Sequence, residues 1–177
     1  MDPVVERTLV SALALLFLVA AAHKLRAPSA FRDQLANYRL VPKRATQATA
    51  AAVVAGELTT GLAFLAPALR LAASSAALVL LFGYSFAIAL NLARGRRDID
   101  CGCSGPALRQ PLTPWLLVRN AVLFGIAAVC LAPVRGRTLI WVDAVTVLGG
   151  VSALAALYAA SNRMLANAPA LLRLRDS

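Results

Sequence analysis

The chain has 177 residues, 60% of them hydrophobic and only 15% charged, with a mean hydropathy of +0.72. A soluble domain carries about a quarter charged residues, so folding in water would leave too little polar surface to cover these apolar side chains, a demand that a bilayer removes. The 18 Lys+Arg against 8 Asp+Glu give a net charge of +10, but the arginines fall in short clusters between apolar runs, with no basic stripe and no interleaved aromatics. That pattern belongs to membrane loops attracted to anionic lipid head groups, and it argues against nucleic acid as a partner.

The sequence therefore predicts an all-α polytopic transmembrane helix bundle of four to five spans in the cell (plasma) membrane, with membrane lipid as its first partner. Five apolar segments have the length of about 17–25 residues that crosses a hydrocarbon core. They run from Val4 to Leu25, Thr46 to Ala66, Leu71 to Ala93, Pro114 to Ala132 and Leu139 to Ala160. Backbone groups in lipid must be satisfied within the segment, so each is expected to be helical.

In the first segment, Ala20-Ala21-Ala22 resembles a signal-peptide cleavage site. Asp2 and Glu6 beside Arg7 deny it a positive n-region, and its apolar run is long for a signal, so an uncleaved anchor is expected. His23 and Lys24 end this segment. Lys24 is expected to snorkel to the head groups, and His23, the one imidazole of the chain, is a proton-transfer candidate. In the loop that follows, Phe31, Leu35, Tyr38 and Leu40 have the spacing of a short amphipathic helix at the interface, opened by Pro28 and closed by Pro42.

The second span carries Glu57 near mid-bilayer, where an ionised carboxylate costs roughly 2.5–3.5 kcal/mol. It must be protonated, paired or turned to a polar cavity. Arg119 in the fourth span is the expected partner, with Asn120 adding an amide; this reads equally as a functional polar site or as an ion pair that fixes packing. Small residues such as Gly56 and Gly61 suit close helix–helix approach.

Between the third and fourth spans lies Asp100-Cys101-Gly102-Cys103-Ser104-Gly105-Pro106. The glycines and proline exclude a continuing helix, so the thiols are presented on a turn. A disulfide closing so small a ring is strained and exchange-competent, and the nearby Arg96, Arg97 and Arg109 favour thiolate, with Asp98 and Asp100 opposing. Spacing alone leaves three readings open: a redox pair, two inert cysteines in a structural turn, or a metal site. The last lacks ligands, because His23 and Cys130 are the only further soft donors and lie in different helices, so no metal is assigned. Cys130 itself reads as a small buried hydrophobe.

Counting Lys and Arg in alternate loops gives thirteen on one side and four on the other. With five spans the positive-inside rule puts the N-terminus outside, and the C-terminus and the Cys pair on the cytoplasmic face. His23, Asn91, Arg119, Asn120 and the Cys pair then approach one leaflet, whereas Asp143 sits at the opposite interface. Walker loops, dinucleotide fingerprints, nucleophile elbows and zinc-protease motifs are absent, which removes support for soluble-enzyme chemistry.

Three blocks together resemble the methylamine utilisation protein MauE family, itself distantly similar to DoxX proteins. They are His23-Lys24-Leu25-Arg26 with Phe31 and Tyr38-Arg39-Leu40-Val41-Pro42; Gly56-Glu57-Leu58; and Asn91-Leu92-Ala93-Arg94-Gly95-Arg96 with the Cys101-Gly102-Cys103 block and Arg119-Asn120. Ser104 stands where many members carry an aromatic. The resemblance reaches to about Pro133, making residues 1–133 a MauE-like four-span domain and residues 134–177 a fifth span with a short basic cytoplasmic tail.

It implies a membrane thiol–disulfide redox protein or redox accessory linked to maturation of the methylamine dehydrogenase β-subunit. Cys101 and Cys103 would be the catalytic pair, and Glu57, Arg119, Asn120 and His23 a polar membrane site. A thioredoxin-like protein and a disulfide-containing client are the implied partners, and a quinone is the cofactor that the looser similarity to quinone-linked oxidoreductases suggests. A periplasmic client wants the thiols outside, opposite to the face given by the charge count. The alternative function is a non-catalytic scaffold or transport accessory whose Cys-Gly-Cys loop docks a partner, with a transporter built on Glu57 and Arg119 as a third reading.

Overall fold

The computed structural model describes residues 1–96, 99 and 111–175, and among them the chain is helical with no strand. Six α-helices follow in order: α1 (Pro3–Arg26), α2 (Pro28–Asn37), α3 (Thr46–Ala63), α4 (Arg70–Ala93), α5 (Pro114–Val129) and α6 (Trp141–Arg175). Cys101 and Cys103 lie outside the described residues.

Local chemistry sets the boundaries. The Asp2 carboxylate caps α1 by accepting from the Val4 N–H at 2.8 Å, Pro3 occupies the first turn, and His23, Lys24 and Arg26 meet the negative end of the dipole in the last. Pro28 opens α2 as the spacing predicts, but α2 ends at Asn37, short of the expected Pro42. Arg39, at φ 49°, turns the chain there. Gly95 terminates α4 at φ 71°, a left-handed angle that glycine adopts without a Cβ penalty, while the Arg96 N–H bonds back to Asn91 O at 3.0 Å.

Packing closes α1, α3, α4 and α5 into a ring: α1 lies against α3, α3 against α4, α4 against α5, and α5 returns to α1. The helix α6 stands outside the ring on α1 and runs parallel to it. The Arg135 N–H bonds Met1 O at one end, and Gly150 sits beside Thr8 further along. Among the described residues three helices are long and apolar enough to cross a membrane, namely Pro3–Arg26, Pro67–Ala93 and Trp141–Met164. The other two segments expected to span are shorter, α3 with 18 residues and α5 with 16. The last helix does not stop at Ala160 as expected from hydropathy; its 35 residues continue to Arg175, and the basic tail is an extension of it.

Polarity is distributed as lipid solvation requires. Large apolar side chains such as Phe82, Val79 and Leu148 face outward, while Glu57, Ser74, Asn91 and Asn120 are buried in the ring. An apolar cluster of Leu13, Ala14, Phe17, Phe64, Ala77 and Leu81 fills the end nearer the N-terminus. A second, of Tyr38, Ile88, Ile99, Leu112 and Leu116, closes the opposite end. Cys130 is fully buried in the first cluster, as expected of a small hydrophobe.

That first end is also tied by charge. The guanidinium of Arg70 reaches Glu6 at 3.8 Å and donates to the carbonyls of Cys130 and Ala132. Arg137 bridges Asp2 and Asp143. The Val4 N–H and the Arg137 guanidinium hold the Asp2 carboxyl below the usual carboxylate value. A depressed carboxyl contributes stability above its unfolded-state pKa and loses it as pH falls through the folded value. Replacing Asp2 with Asn, which keeps the cap, is expected to lower stability at neutral pH. The difference should shrink as pH falls through the folded value, and unfolding midpoints measured across the acid range check it.

Glycine at position 61 has a steric reason. A Cβ there would stand 2.8 Å from Leu18 Cγ and 3.2 Å from its backbone nitrogen, whereas at Gly56 the nearest atom is Leu80 Cδ2 at 3.4 Å. Gly61→Val is therefore expected to cost about 1–3 kcal/mol by forcing α1 and α3 apart. Gly56→Ala should be neutral, or stabilising by up to ~1 kcal/mol through helix propensity. Reversible unfolding in detergent micelles distinguishes the two.

Candidate functional site

The most polar part of the interior is built by the last turn of α1, the middle of α3 and the middle of α4. Lys24 Nζ donates to both oxygens of Glu57, at 2.6 and 2.8 Å, and the Tyr84 hydroxyl donates to Oε1 at 2.6 Å. Lys24 and Glu57 are only 4% and 1% exposed, so this ion pair is out of solvent. The ammonium also lies 5.2 Å from the ring centre of Phe31 and 5.6 Å from that of Tyr84, within cation–π range. Phe31 comes from α2, which thus lies over the end of the bundle and shields Lys24.

Two sequence expectations are corrected here. Lys24 does not snorkel: its stem is long enough to turn inward, and a carboxylate inside the ring offers more than the head groups. Glu57 does not take Arg119 as its partner; Lys24 and Tyr84 fill its hydrogen-bonding positions. The signal for Lys24 was legible, since it is the cation directly beside His23 at the end of an apolar run. What hydropathy could not show is which face of α1 points to α3. Tyr84 was missed altogether, as one aromatic among many apolar residues in α4.

Arg119 belongs to a second group. Its Nη1 donates to Asn162 Oδ1 at 2.8 Å, its Nη2 to Asn120 Oδ1 at 3.3 Å, and its guanidinium carbon lies 5.6 Å from the centre of the Tyr158 ring. Asn120 is buried behind it in the ring. Asn162 and Tyr158 come from α6, and His23 lies on the same cleft between α1, α5 and α6. The expected polar site thus divides, with Glu57 on the α3 side of α1 and His23, Arg119 and Asn120 on the α5 side.

His23 and Cys130, the further soft donors of the sequence, lie far apart. His23 ends α1 beside Trp115 and Arg119 at the start of α5, whereas Cys130 caps the far end of α5. Eleven helical residues, roughly 16 Å of axis, separate Cys130 from Arg119.

The described residues on either side of the Cys-bearing segment, Ile99 and Leu112, meet at this polar end. The Leu112 N–H donates to Ile99 O at 3.2 Å, and both residues are buried with Tyr38, Ile88 and Leu116. Asn91, one turn from the end of α4, is fully buried there; it donates to Ala87 O at 3.0 Å and accepts from Arg96 at 3.3 Å.

A family model described as methylamine utilisation protein MauE matches residues 3–133. The chain belongs to the MauE family. It is similar to methylamine utilization protein MauE of Paracoccus denitrificans, 37% identical over 115 residues, or 65% of this chain and 62% of that one. The match to the Paracoccus denitrificans protein therefore spans less than two thirds of its length. The protein of the same name from Methylophilus methylotrophus is 33% identical over 165 residues, 92% of this chain and 87% of that one. The Paracoccus versutus protein is 36% identical over 126 residues, 71% of this chain and 68% of that one. No solved structure matches the chain.

The MauE range takes in Lys24, Glu57 and Tyr84 and closes after α5, so the ring and its buried ion pair lie inside it. The α6 residues that hold Arg119 lie beyond it.

Removing one member of a buried ion pair leaves an uncompensated charge. Glu57→Gln or Lys24→Met alone should therefore cost about 3–5 kcal/mol. Tyr84→Phe, which deletes one hydrogen bond to a charged group, should cost about 1.5–3 kcal/mol. The triple variant Lys24→Met/Glu57→Leu/Tyr84→Phe removes both charges together and should recover most of the stability in micellar unfolding. If the pair acts only as a packing device, the triple variant keeps function as well as fold; loss of function in a folded triple variant assigns the pair a working role.

Proposed function

We propose that this MauE protein is an integral membrane thiol–disulfide redox accessory in methylamine utilisation. Cys101 and Cys103 would exchange with the disulfides of a client protein such as the β-subunit of methylamine dehydrogenase. In the oxidising direction a client thiolate attacks the Cys101–Cys103 disulfide, forming a mixed disulfide and releasing one of the two thiolates. The second client thiolate then attacks the mixed disulfide, leaving the client oxidised and the pair as a dithiol. Two electrons and two protons have moved. A thioredoxin-like protein carrying a disulfide accepts them in the same two exchanges and restores the pair.

The observation that carries this reading is the hydrogen bond between Leu112 and Ile99. Cys101 is two residues along the chain from Ile99, and that anchor is packed into the same end of the bundle as Lys24, Glu57, His23 and Arg119. Sequence separation alone keeps the thiols within a few residues of that end, and exchange requires the thiolate because only the thiolate attacks. The outward apolar faces and the MauE membership support the membrane location. The excess of Lys and Arg at this end favours a cytoplasmic face for it, whereas a periplasmic client needs the opposite face, and thiol labelling decides between them.

Cys101→Ser and Cys103→Ser are each expected to reduce the yield of disulfide-complete client by at least about tenfold, since neither alone can complete two exchanges. Normal client maturation in the double Ser variant, with loss only when Arg94, Arg96, Arg97 and Arg109 are neutralised, would instead identify a docking scaffold. Labelling intact cells with a membrane-impermeant maleimide, with and without prior reduction, reports the face and oxidation state of the pair. Cys130 is fully buried and stays silent in the folded protein.

A further inference from the structure

The cleft between α1, α5 and α6 encloses about 810 Å³, within the range of about 300–1,000 Å³ common to small-molecule sites. Its walls are apolar along most of their length, formed by Leu16, Val19, Val122, Ile126 and Leu154. One end is polar and carries His23, Arg119, Tyr158, Asn162 and Arg163, with no carboxylate among the lining residues. The cleft follows α1 from Leu13 to His23, about 15 Å of helix, or half of a hydrocarbon core of about 30 Å. Its depth is that of one leaflet.

We propose that this cleft holds one anionic membrane phospholipid, an acyl chain along the apolar walls and the phosphate at Arg119, Arg163 and His23. Four observations lead to this occupant. The only formal charges in the lining are positive, which selects an anionic head. The buried His23 Nδ1 meets no hydrogen-bond partner among the described residues, so a donor or acceptor at the polar end is still to be matched. The polar end also lies on the Lys/Arg-rich side of the bundle, the side that attracts anionic leaflet lipids. Trp115, exposed at the same level, is a residue type that settles at the head-group interface.

The proposal rests on the membrane location argued above and not on the thiol chemistry. Since α6 supplies Tyr158, Asn162 and Arg163, this helix would serve to close a lipid site on α1 and α5. The lipid would in turn cement α6 to a ring that it otherwise touches mainly through α1.

The test uses the full chain purified in neutral detergent, with phosphatidylglycerol or phosphatidylcholine of matched acyl chains added and bound lipids counted by native mass spectrometry. One phosphatidylglycerol per chain should be retained where phosphatidylcholine is lost. Arg163→Gln should weaken that retention about fivefold, the effect of one basic residue on an anionic lipid. Ala155→Trp, which fills the apolar wall from a position facing open volume, should abolish it while circular dichroism stays unchanged. Because Arg119 also braces α6 through Asn162, these two variants carry the test without disturbing that bond.

Equal retention of both lipids, or retention unaffected by Ala155→Trp, overturns the proposal. So does one-for-one displacement of phosphatidylglycerol by a short-chain quinone, which would assign the cleft to that ligand. Recovery of the protein in the soluble fraction of lysed cells would defeat the membrane reading itself, a separate outcome from a membrane-bound protein with no selective lipid.

Discussion

A buried ammonium bonded to both oxygens of a buried carboxylate constrains everything around it. In an apolar surrounding neither Lys24 nor Glu57 can stand alone, because an isolated charge would cost far more than any packing contact returns. Their pairing fixes the rotation of α1 about its own axis and the height of α3 against it. Tyr84 extends the same constraint to α4 through a third hydrogen bond. Phe31 extends it to α2, whose ring covers the ammonium. Four of the six helices thus take their relative placement from one polar cluster, in an environment where apolar packing alone discriminates weakly, since lipid tails are as apolar as the side chains they meet.

Close approach makes the cluster reachable. Gly61 lets α3 come against Leu18 of α1 one turn beyond Glu57, and Gly150 lets α6 approach Thr8, where a Cβ would stand 2.7 Å from the threonine methyl. Small residues and buried polar groups work together: the former bring backbones near, the latter set register and orientation. At the opposite end Arg70 plays a quieter part, satisfying two carbonyls left open where α5 ends, and holding Glu6 as it does so.

The polar interior is divided by α1 into two compartments with different characters. On the α3 side the charges are paired and covered. On the α5 side Arg119 is held in a plane by two asparagines and a tyrosine ring, at the inner end of an open apolar cleft. The first compartment suits fixing the helices against one another. The second suits recognition of an amphiphile. Both lie at the end where the chain leaves α4 and enters α5, beside the hydrogen bond between Leu112 and Ile99.

Composition and hydropathy were enough to establish the fold class and the bounds of α1 and α4 to within a residue or so, because the length of an apolar run and the residues that cap it are local properties. They also placed His23, Asn91, Arg119 and Asn120 at a common end, since alternation of spans is a counting argument. The partner of Glu57 was out of reach. Arg119 and Lys24 are both cations near the same level, and the choice between them depends on which faces of α1, α3 and α5 meet. Hydropathy carries no such information when apolar residues surround a helix on every side; the hydrophobic pattern of a lipid-facing helix does not say where its neighbours stand. Tyr84, Asn162 and the cleft on α6 were hidden for the same reason. Contacts between helices distant in sequence are decided by pairing buried polar groups and by fitting small residues against large ones, and both are properties of the assembled bundle.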